Sequence, residues 1–160
     1  MIIILHNIRS LHNVGSIFRT ADAAGVEKIY LCGITPAPID SFGRPRQQLT
    51  KVSLGAEKYI EWEKVKSTSK LIDKFKKEKY KIFAVEQSKK SVPYYKLHTT
   101  NNKQRAKLAL ILGNEVKGLP PSILKHTDKI LEIPMFGKKE SLNVAVAFGI
   151  VVFKLRELYN

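Results

Sequence analysis

Cysteine is almost missing from this chain. Cys32 stands alone, which excludes a disulfide framework and a thiolate metal cluster. Its setting, Lys28-Ile-Tyr-Leu-Cys32, reads as a buried strand in which the thiol is a small core group. His6, His12, His98 and His126 show no ligand spacing and no carboxylates cluster, so neither a metal centre nor a metal-dependent nuclease is expected. Long apolar runs are wanting too. Residues 2–5 are too few for a signal peptide and no basic region precedes them, and no run approaches the roughly 20 apolar residues of a membrane span. A cytoplasmic protein that uses neither membrane nor metal is the expectation. The P-loop pattern GxxxxGK[ST] is absent, and so is a dinucleotide-binding glycine fingerprint.

Acidic residues are scarce, 14 against 28 Lys+Arg, for a net charge of +14. The imbalance is local. Residues 1–63 carry 7 basic and 6 acidic side chains, residues 64–107 carry 14 and 3, and residues 108–160 carry 7 and 5. A basic middle block suits a polyanion, with nucleic acid the first candidate, and equally describes a lysine-rich solvated surface.

The length of 160 residues favours one domain with a real core. Short apolar runs predict strands at 2–6, 28–32, 58–62, 81–86, 108–112 and 130–133, and helix-like stretches fall at 14–24, 45–55, 68–79, 120–125 and 141–158. Their alternation predicts an α/β fold with a mainly parallel sheet flanked by helices. Residues 35–46, rich in turn formers and carrying Arg44 and Arg46, form an exposed excursion. The last helix has almost no polar face from Val144 to Phe153, so it needs cover on more than one side. The sheet covers one side and a second subunit the other, which predicts a homodimer.

Three separated segments hold the polar residues of interest. In Asn13-Val-Gly-Ser-Ile-Phe-Arg-Thr-Ala-Asp-Ala-Ala-Gly25, Asn13 suits an N-cap and Gly15 allows close backbone approach. Arg19 could pair with Asp22 one turn on, or serve a phosphate near the end of the first strand. In Leu112-Gly-Asn-Glu-Val-Lys-Gly-Leu119, Glu115 reads equally as a ligand contact or as a cap of the following turn. In Ile133-Pro-Met-Phe-Gly-Lys-Lys-Glu-Ser-Leu-Asn-Val-Ala-Val-Ala147, Ser141 is a plausible N-cap of the final helix, with Asn143 in its first turn.

In this order, each after a strand-like run, the segments resemble the three motifs of the TrmH-type RNA 2′-O-ribose methyltransferases of the SPOUT superfamily. The resemblance covers about residues 2–158 and implies a C-terminal deep trefoil knot, a homodimer and S-adenosyl-L-methionine as cofactor. It assigns Asn13, Arg19, Glu115, Ser141 and Asn143 to catalysis. It assigns cofactor binding to Val85, Leu112, Gly113, Asn114, Gly118, Ile133, Met135 and Leu142. The implied reaction is methylation of a ribose 2′-hydroxyl in RNA, with a tRNA guanosine favoured and 23S rRNA second. Arg9, Arg44, Arg46 and the lysines of 64–107 are the expected RNA contacts, with salt-sensitive binding. The chain starts at its first strand and stops with its last helix, so a single methyltransferase domain over 1–160, without a separate RNA-recruiting domain, is expected. The alternative is a catalytically inactive RNA-binding or ribosome-assembly factor on the same fold. The presence of all five polar site residues argues against it.

Overall fold

The computed structural model describes residues 1–98 and 107–159, so Lys103 and Arg105 of the basic block lie outside the described residues. Seven strands form one parallel sheet. They are β1 (Ile2–His6), β2 (Lys28–Cys32), β3 (Glu61–Val65), β4 (Lys81–Val85), β5 (Val92–Pro93), β6 (Leu108–Leu112) and β7 (Lys129–Glu132). Their order is β3-β2-β1-β6-β4-β7-β5 and every pairing is parallel. The helices are α1 (Leu11–Ala23), α2 (Gln47–Ser53), α3 (Thr68–Lys77), α4 (Pro121–Leu124) and α5 (Val144–Leu158).

Each central strand is buried on both faces, as parallel sheets covered by helices are. Ile3, Leu5, Leu108, Leu110 and Leu112 face the core shared with Ile17 and Phe18 of α1 and with Phe148, Val151, Val152 and Leu155 of α5. Their alternates Ile2, Ile4, Ala109 and Ile111 face Leu71, Ile72 and Phe75 of α3 and Ile123 of α4. Cys32 is buried on this second side, and burial pushes its thiol up to about 11, so it is an inert core group.

The third strand begins three residues later than predicted, because residues 56–58 form a 3-10 turn instead. β3 is an edge strand with mostly exposed side chains, so an apolar run is a poor guide to it. Pairing with β2 sets its register, and Lys28 bridges Glu61 at 2.6 Å and Glu63 at 3.0 Å across that pair. The two-residue β5 is too short to leave a pattern. The final helix starts at Val144 instead of 141.

Gly15 sits where α1 meets α2. A Cβ there would lie 2.5 Å from the Leu49 carbonyl oxygen and 3.1 Å from Val52 Cβ. The backbone oxygen has nowhere to go, so α1 and α2 can pack this closely only without a side chain. Gly15→Ala is expected to destabilise the fold by about 1–3 kcal/mol despite alanine's better helix propensity, seen as a lower urea midpoint.

Candidate active site

The sheet order reverses between β1 and β6, with β2 and β3 on one side and β4, β7 and β5 on the other. Open parallel sheets bind ligands at the carboxyl ends of strands beside such a reversal. Asn7, just past β1 with φ 56°, ties the strand exits together. Its carbonyl accepts from Asn114 Nδ2 at 2.8 Å and its side-chain Oδ1 accepts from the Ile34 N–H at 3.1 Å. Asn114 Oδ1 accepts from the N–H groups of Val116 and Lys117 at 3.0 and 2.9 Å, closing the loop after β6 on itself. Gly118 has φ 64°, and a Cβ there would stand 2.2 Å from Glu86 Oε2, so both conformation and space demand glycine. Glu86 accepts from the N–H groups of Leu119 and Gln87 at 2.7 and 2.9 Å.

Glu115 is the centre of the site. Its carboxylate accepts from the N–H groups of Arg9 at 2.9 Å and Ser10 at 3.0 Å, and from Asn13 Nδ2 at 3.1 Å. Asn13 Oδ1 accepts from Asn143 Nδ2 at 3.0 Å. Asn143 Oδ1 accepts from the N–H groups of Ala145 and Val146 at 2.9 and 3.4 Å. One hydrogen-bonded chain therefore runs from the N-terminus of α1 to that of α5 and joins all three sequence segments. Burial tends to raise the Glu115 pKa, but the N–H groups of Arg9 and Ser10, its own N–H and the Asn13 amide outweigh it and hold the carboxyl below its ordinary range. Glu115 is thus a fixed anion at neutral pH, beside the positive end of α1.

Two capping expectations are corrected. Asn13 is not the N-cap of α1: Ser10 is, its hydroxyl accepting from the Asn13 N–H at 3.2 Å. Asn13 instead turns its buried amide inward, toward Glu115 and Asn143. Ser141 does not cap α5: Asn143 does, so Asn143 lies before the first turn, not in it. Capping and reaching Asn13 together use both ends of its amide. The Arg19–Asp22 pair does not form either. Among the described residues the helix-spaced ion pairs are Arg44–Asp40, Lys74–Glu78 and Lys154–Glu157.

A pocket opens beside this chain, between the ends of β4, β6 and β7. Its lining includes all eight residues expected to hold a cofactor: Val85, Leu112, Gly113, Asn114, Gly118, Ile133, Met135 and Leu142. Glu115 and Ser141 line it as well. Arg19 does not: it is exposed, six residues beyond Asn13, about 9 Å along α1. Sequence reasoning missed Glu86 and Glu132, which also face the pocket. Polar residues at the ends of buried parallel strands were the available signal. Of the expected RNA contacts, Arg9 is exposed beside Ser10, while Arg44 and Arg46 stand in the turn before α2. Lys64 is exposed but tied down, its Nζ donating to the carbonyls of Gly33, at 2.6 Å, and Thr35. Among the described residues no group of His, Cys, Asp and Glu could hold a metal ion, and no helix is long and apolar enough to cross a membrane.

The SpoU rRNA Methylase family model matches residues 1–153. The chain belongs to this family. Among its SpoU-family relatives, it is 31% identical over 154 residues to a tRNA (guanosine(18)-2′-O)-methyltransferase of Aquifex aeolicus, covering 96% of this chain and 67% of the relative. It is 30% identical over 155 residues to the 23S rRNA (guanosine(2553)-2′-O)-methyltransferase RlmP of Bacillus subtilis, covering 97% of this chain but 57% of the relative. The solved A. aeolicus TrmH/SpoU tRNA modifying enzyme superposes with a TM-score of 0.80 at 29% identity, over 98% of this chain and 73% of that one. An AdoMet-bound rRNA methyltransferase from Sinorhizobium meliloti gives 0.83 at 29% identity, over 98% of this chain and 55% of that one. The seven-stranded parallel sheet flanked by helices is thus the SPOUT methyltransferase fold.

The double use of Asn143 can be separated. Asn143→Asp keeps the oxygen that caps α5 but loses the donor to Asn13, whereas Asn143→Ala loses both. Thermal melts are expected to show Asn143→Ala destabilised by about 1–2 kcal/mol, with Asn143→Asp losing less because the helix terminus favours the added charge.

Proposed function

We propose that this chain transfers a methyl group from S-adenosyl-L-methionine to a ribose 2′-hydroxyl of RNA, with a tRNA guanosine the favoured target and a 23S rRNA guanosine the second. The observation that carries this reading is the pocket placed against the Glu115–Asn13–Asn143 chain. Among the described residues its lining holds three carboxylates, Glu86, Glu115 and Glu132, and no lysine, arginine or histidine. In a chain of net charge +14, that is an unusual place to find no cation. The negative charge of this lining suits a cationic sulfonium and an ammonium, with Val85, Leu112, Ile133 and Leu142 available to an adenine ring. It repels the phosphates of a nucleotide cofactor. Guanosine is favoured because the curated relatives named above carry it in their names. No observation favours the inactive alternative.

Bound there, S-adenosyl-L-methionine would supply a methyl open to in-line displacement by the ribose 2′-oxygen, with the C–S bond breaking as the C–O bond forms, S-adenosyl-L-homocysteine leaving and the hydroxyl proton passing to solvent water. The residues of the chain supply position. Glu115 fixes the N-terminus of α1 and the Asn13 amide. Asn143 fixes the start of α5, and Ser141 stands at the pocket rim. Glu115 has its lone pairs committed and its pKa held down, so it is a poor proton acceptor. An arginine stays charged throughout and is no base either. Arg19 suits a clamp on the adjacent phosphate and a stabiliser of the developing oxyanion.

A homodimer belongs to the same proposal. On α5, Val146 is 51% exposed and Phe153 49% exposed, one turn to either side of Gly149. Gly149 lies against Thr20 of α1, where a Cβ would meet Thr20 Cγ2 at 3.7 Å. Arg19 is the next residue along α1. A second copy covering the open apolar face would therefore also cover Arg19 and bring it into a site built at the interface. The deep trefoil knot and the action of residues 1–160 as a single cytoplasmic domain are further parts of this reading. The knot rests on membership of the family.

Arg19→Ala is expected to lower methyl transfer by about 10²–10³-fold, the scale for losing one oxyanion-stabilising donor. Cofactor affinity by isothermal titration is expected to stay within about twofold, because Arg19 is outside the pocket lining. A variant that no longer bound the cofactor would contradict this division of labour.

A further inference from the structure

A second cleft lies on the other side of the α1 N-terminus from the cofactor pocket. It is lined by Arg9, Ser10, Leu11, His12, Gln48, Lys51 and Val52, so it runs between α1 and α2. The two recesses share a wall: Arg9 and Ser10, which border this cleft, are the residues whose N–H groups hold Glu115. A strand of RNA whose ribose lay at Glu115 and Asn13 would have to continue somewhere, and this cleft is the adjoining opening with cationic walls.

The cleft leads back to the turn before α2. Arg46 is the residue from which α2 starts, and Gln48 and Lys51, three apart, share a helix face. α2 spans only about 10 Å. Beyond Arg46 the chain folds into a tight turn. Asp40 Oδ1 accepts from the N–H groups of Phe42 and Arg44 at 2.8 and 2.9 Å, and Gly43 has φ 77°. Ile39 and Pro45 pair across it, and the Arg46 N–H donates to Pro38 O at 2.8 Å. This framework projects Phe42 outward with 79% of it exposed. One ring face carries the Arg44 guanidinium, 4.9 Å from the centroid. Both arginines are anchored through Nε, Arg44 to Asp40 Oδ2 at 3.0 Å and Arg46 to Ile39 O at 3.3 Å. Among the described residues their terminal nitrogens make no hydrogen bond, which leaves them as planar donors of the kind that suits phosphate. Asp40 is the sole acid between residues 28 and 56, and these same contacts consume it.

An aromatic ring this exposed has no place in the core, and a folded turn holds it out beside Arg44 and Arg46. That combination fits unpaired RNA, where bases are free to stack and phosphates run alongside. We propose that the turn 38–46 and the α1–α2 cleft form one track for an unpaired RNA strand: a base stacks on the open face of Phe42, and Arg44, Arg46, Lys51 and Arg9 take the phosphates leading to the acceptor ribose. The placement of that ribose rests on the function proposed above, but the binding of the strand does not. The track deepens the expected role of Arg9, Arg44 and Arg46 by adding Phe42, Gln48 and Lys51. It also moves strand contact away from the lysine-rich block.

The test uses the full chain and a fluorescein-labelled oligoadenylate of about ten nucleotides, within the usual span of single-strand sites. Anisotropy is read without cofactor at several salt concentrations. Phe42→Ala is expected to weaken binding about tenfold with an unchanged salt slope, and Phe42→Trp to retain it. Lys51→Ala is expected to weaken binding and to flatten the slope of log affinity against log salt by about 0.7. Wild-type protein that does not bind the oligonucleotide, or Phe42→Ala and Lys51→Ala variants that bind as wild type does, would overturn the track. The two proposals fail separately. Weakened binding by Phe42→Ala with no methyl transfer to any RNA supports the track and removes the methyltransferase reading. Normal transfer with unaltered oligonucleotide binding by both variants does the reverse.

Discussion

The carboxylate of Glu115 is the constraint on which the rest of the site depends. It accepts from two main-chain N–H groups at the start of α1 and from the Asn13 amide. Without it the exposed Arg9 N–H and the part-buried Ser10 N–H would turn to water, and the Asn13 amide would lose the partner that orients it. Because Asn13 is committed to Glu115 through its nitrogen, its oxygen is left to receive Asn143. Asn143 in turn can offer its nitrogen only because its own oxygen caps α5. Each amide is oriented by the one before it. The loop after β6, the first helix and the last helix are thereby held at one point, where the sheet order reverses.

Around that point the charges are sorted. Among the described residues the pocket at the ends of β4, β6 and β7 has three carboxylates and no basic side chain, while the cleft between α1 and α2 presents Arg9 and Lys51. A cationic small molecule and a polyanionic strand would be drawn to opposite sides of the same helix terminus. Close packing of α1 on α2 at Gly15 keeps the two recesses adjacent. The open apolar face on α5 near Arg19 adds a third surface, which a second copy would close.

The central strands were legible because burial on both faces makes them continuous apolar runs, as in Leu108-Ala-Leu-Ile-Leu112. The edge was not. β3 carries three charged residues, Glu61, Glu63 and Lys64, beside Trp62 and Val65, and its position follows from pairing with β2. The candidate site residues came from the resemblance carried by the three segments; the structure gathers Asn13, Glu115 and Asn143 into one hydrogen-bonded chain with Ser141 at the pocket, and leaves Arg19 outside the pocket lining. Their individual roles were not legible. Asn13 and Ser141 look like caps because their types favour caps, yet Ser10 and Asn143 hold those places. Which residue caps a helix depends on where its first turn closes, and residue type alone does not say where that is: Ser10 accepts from the Asn13 N–H, and Asn143 from those of Ala145 and Val146. Phe42 was passed over for a related reason: in a turn-rich stretch one aromatic looks unremarkable until its exposure is known.

Methyl transfer with identification of the product is the most direct test of the central claim. Purified protein would be incubated with labelled S-adenosyl-L-methionine and with unmodified tRNA and ribosomal RNA in parallel, and the labelled RNA digested to nucleosides. A 2′-O-methylated nucleoside, guanosine first, in one of the two pools is the predicted result. No label in either pool, with cofactor binding demonstrated on the same preparation, would contradict it.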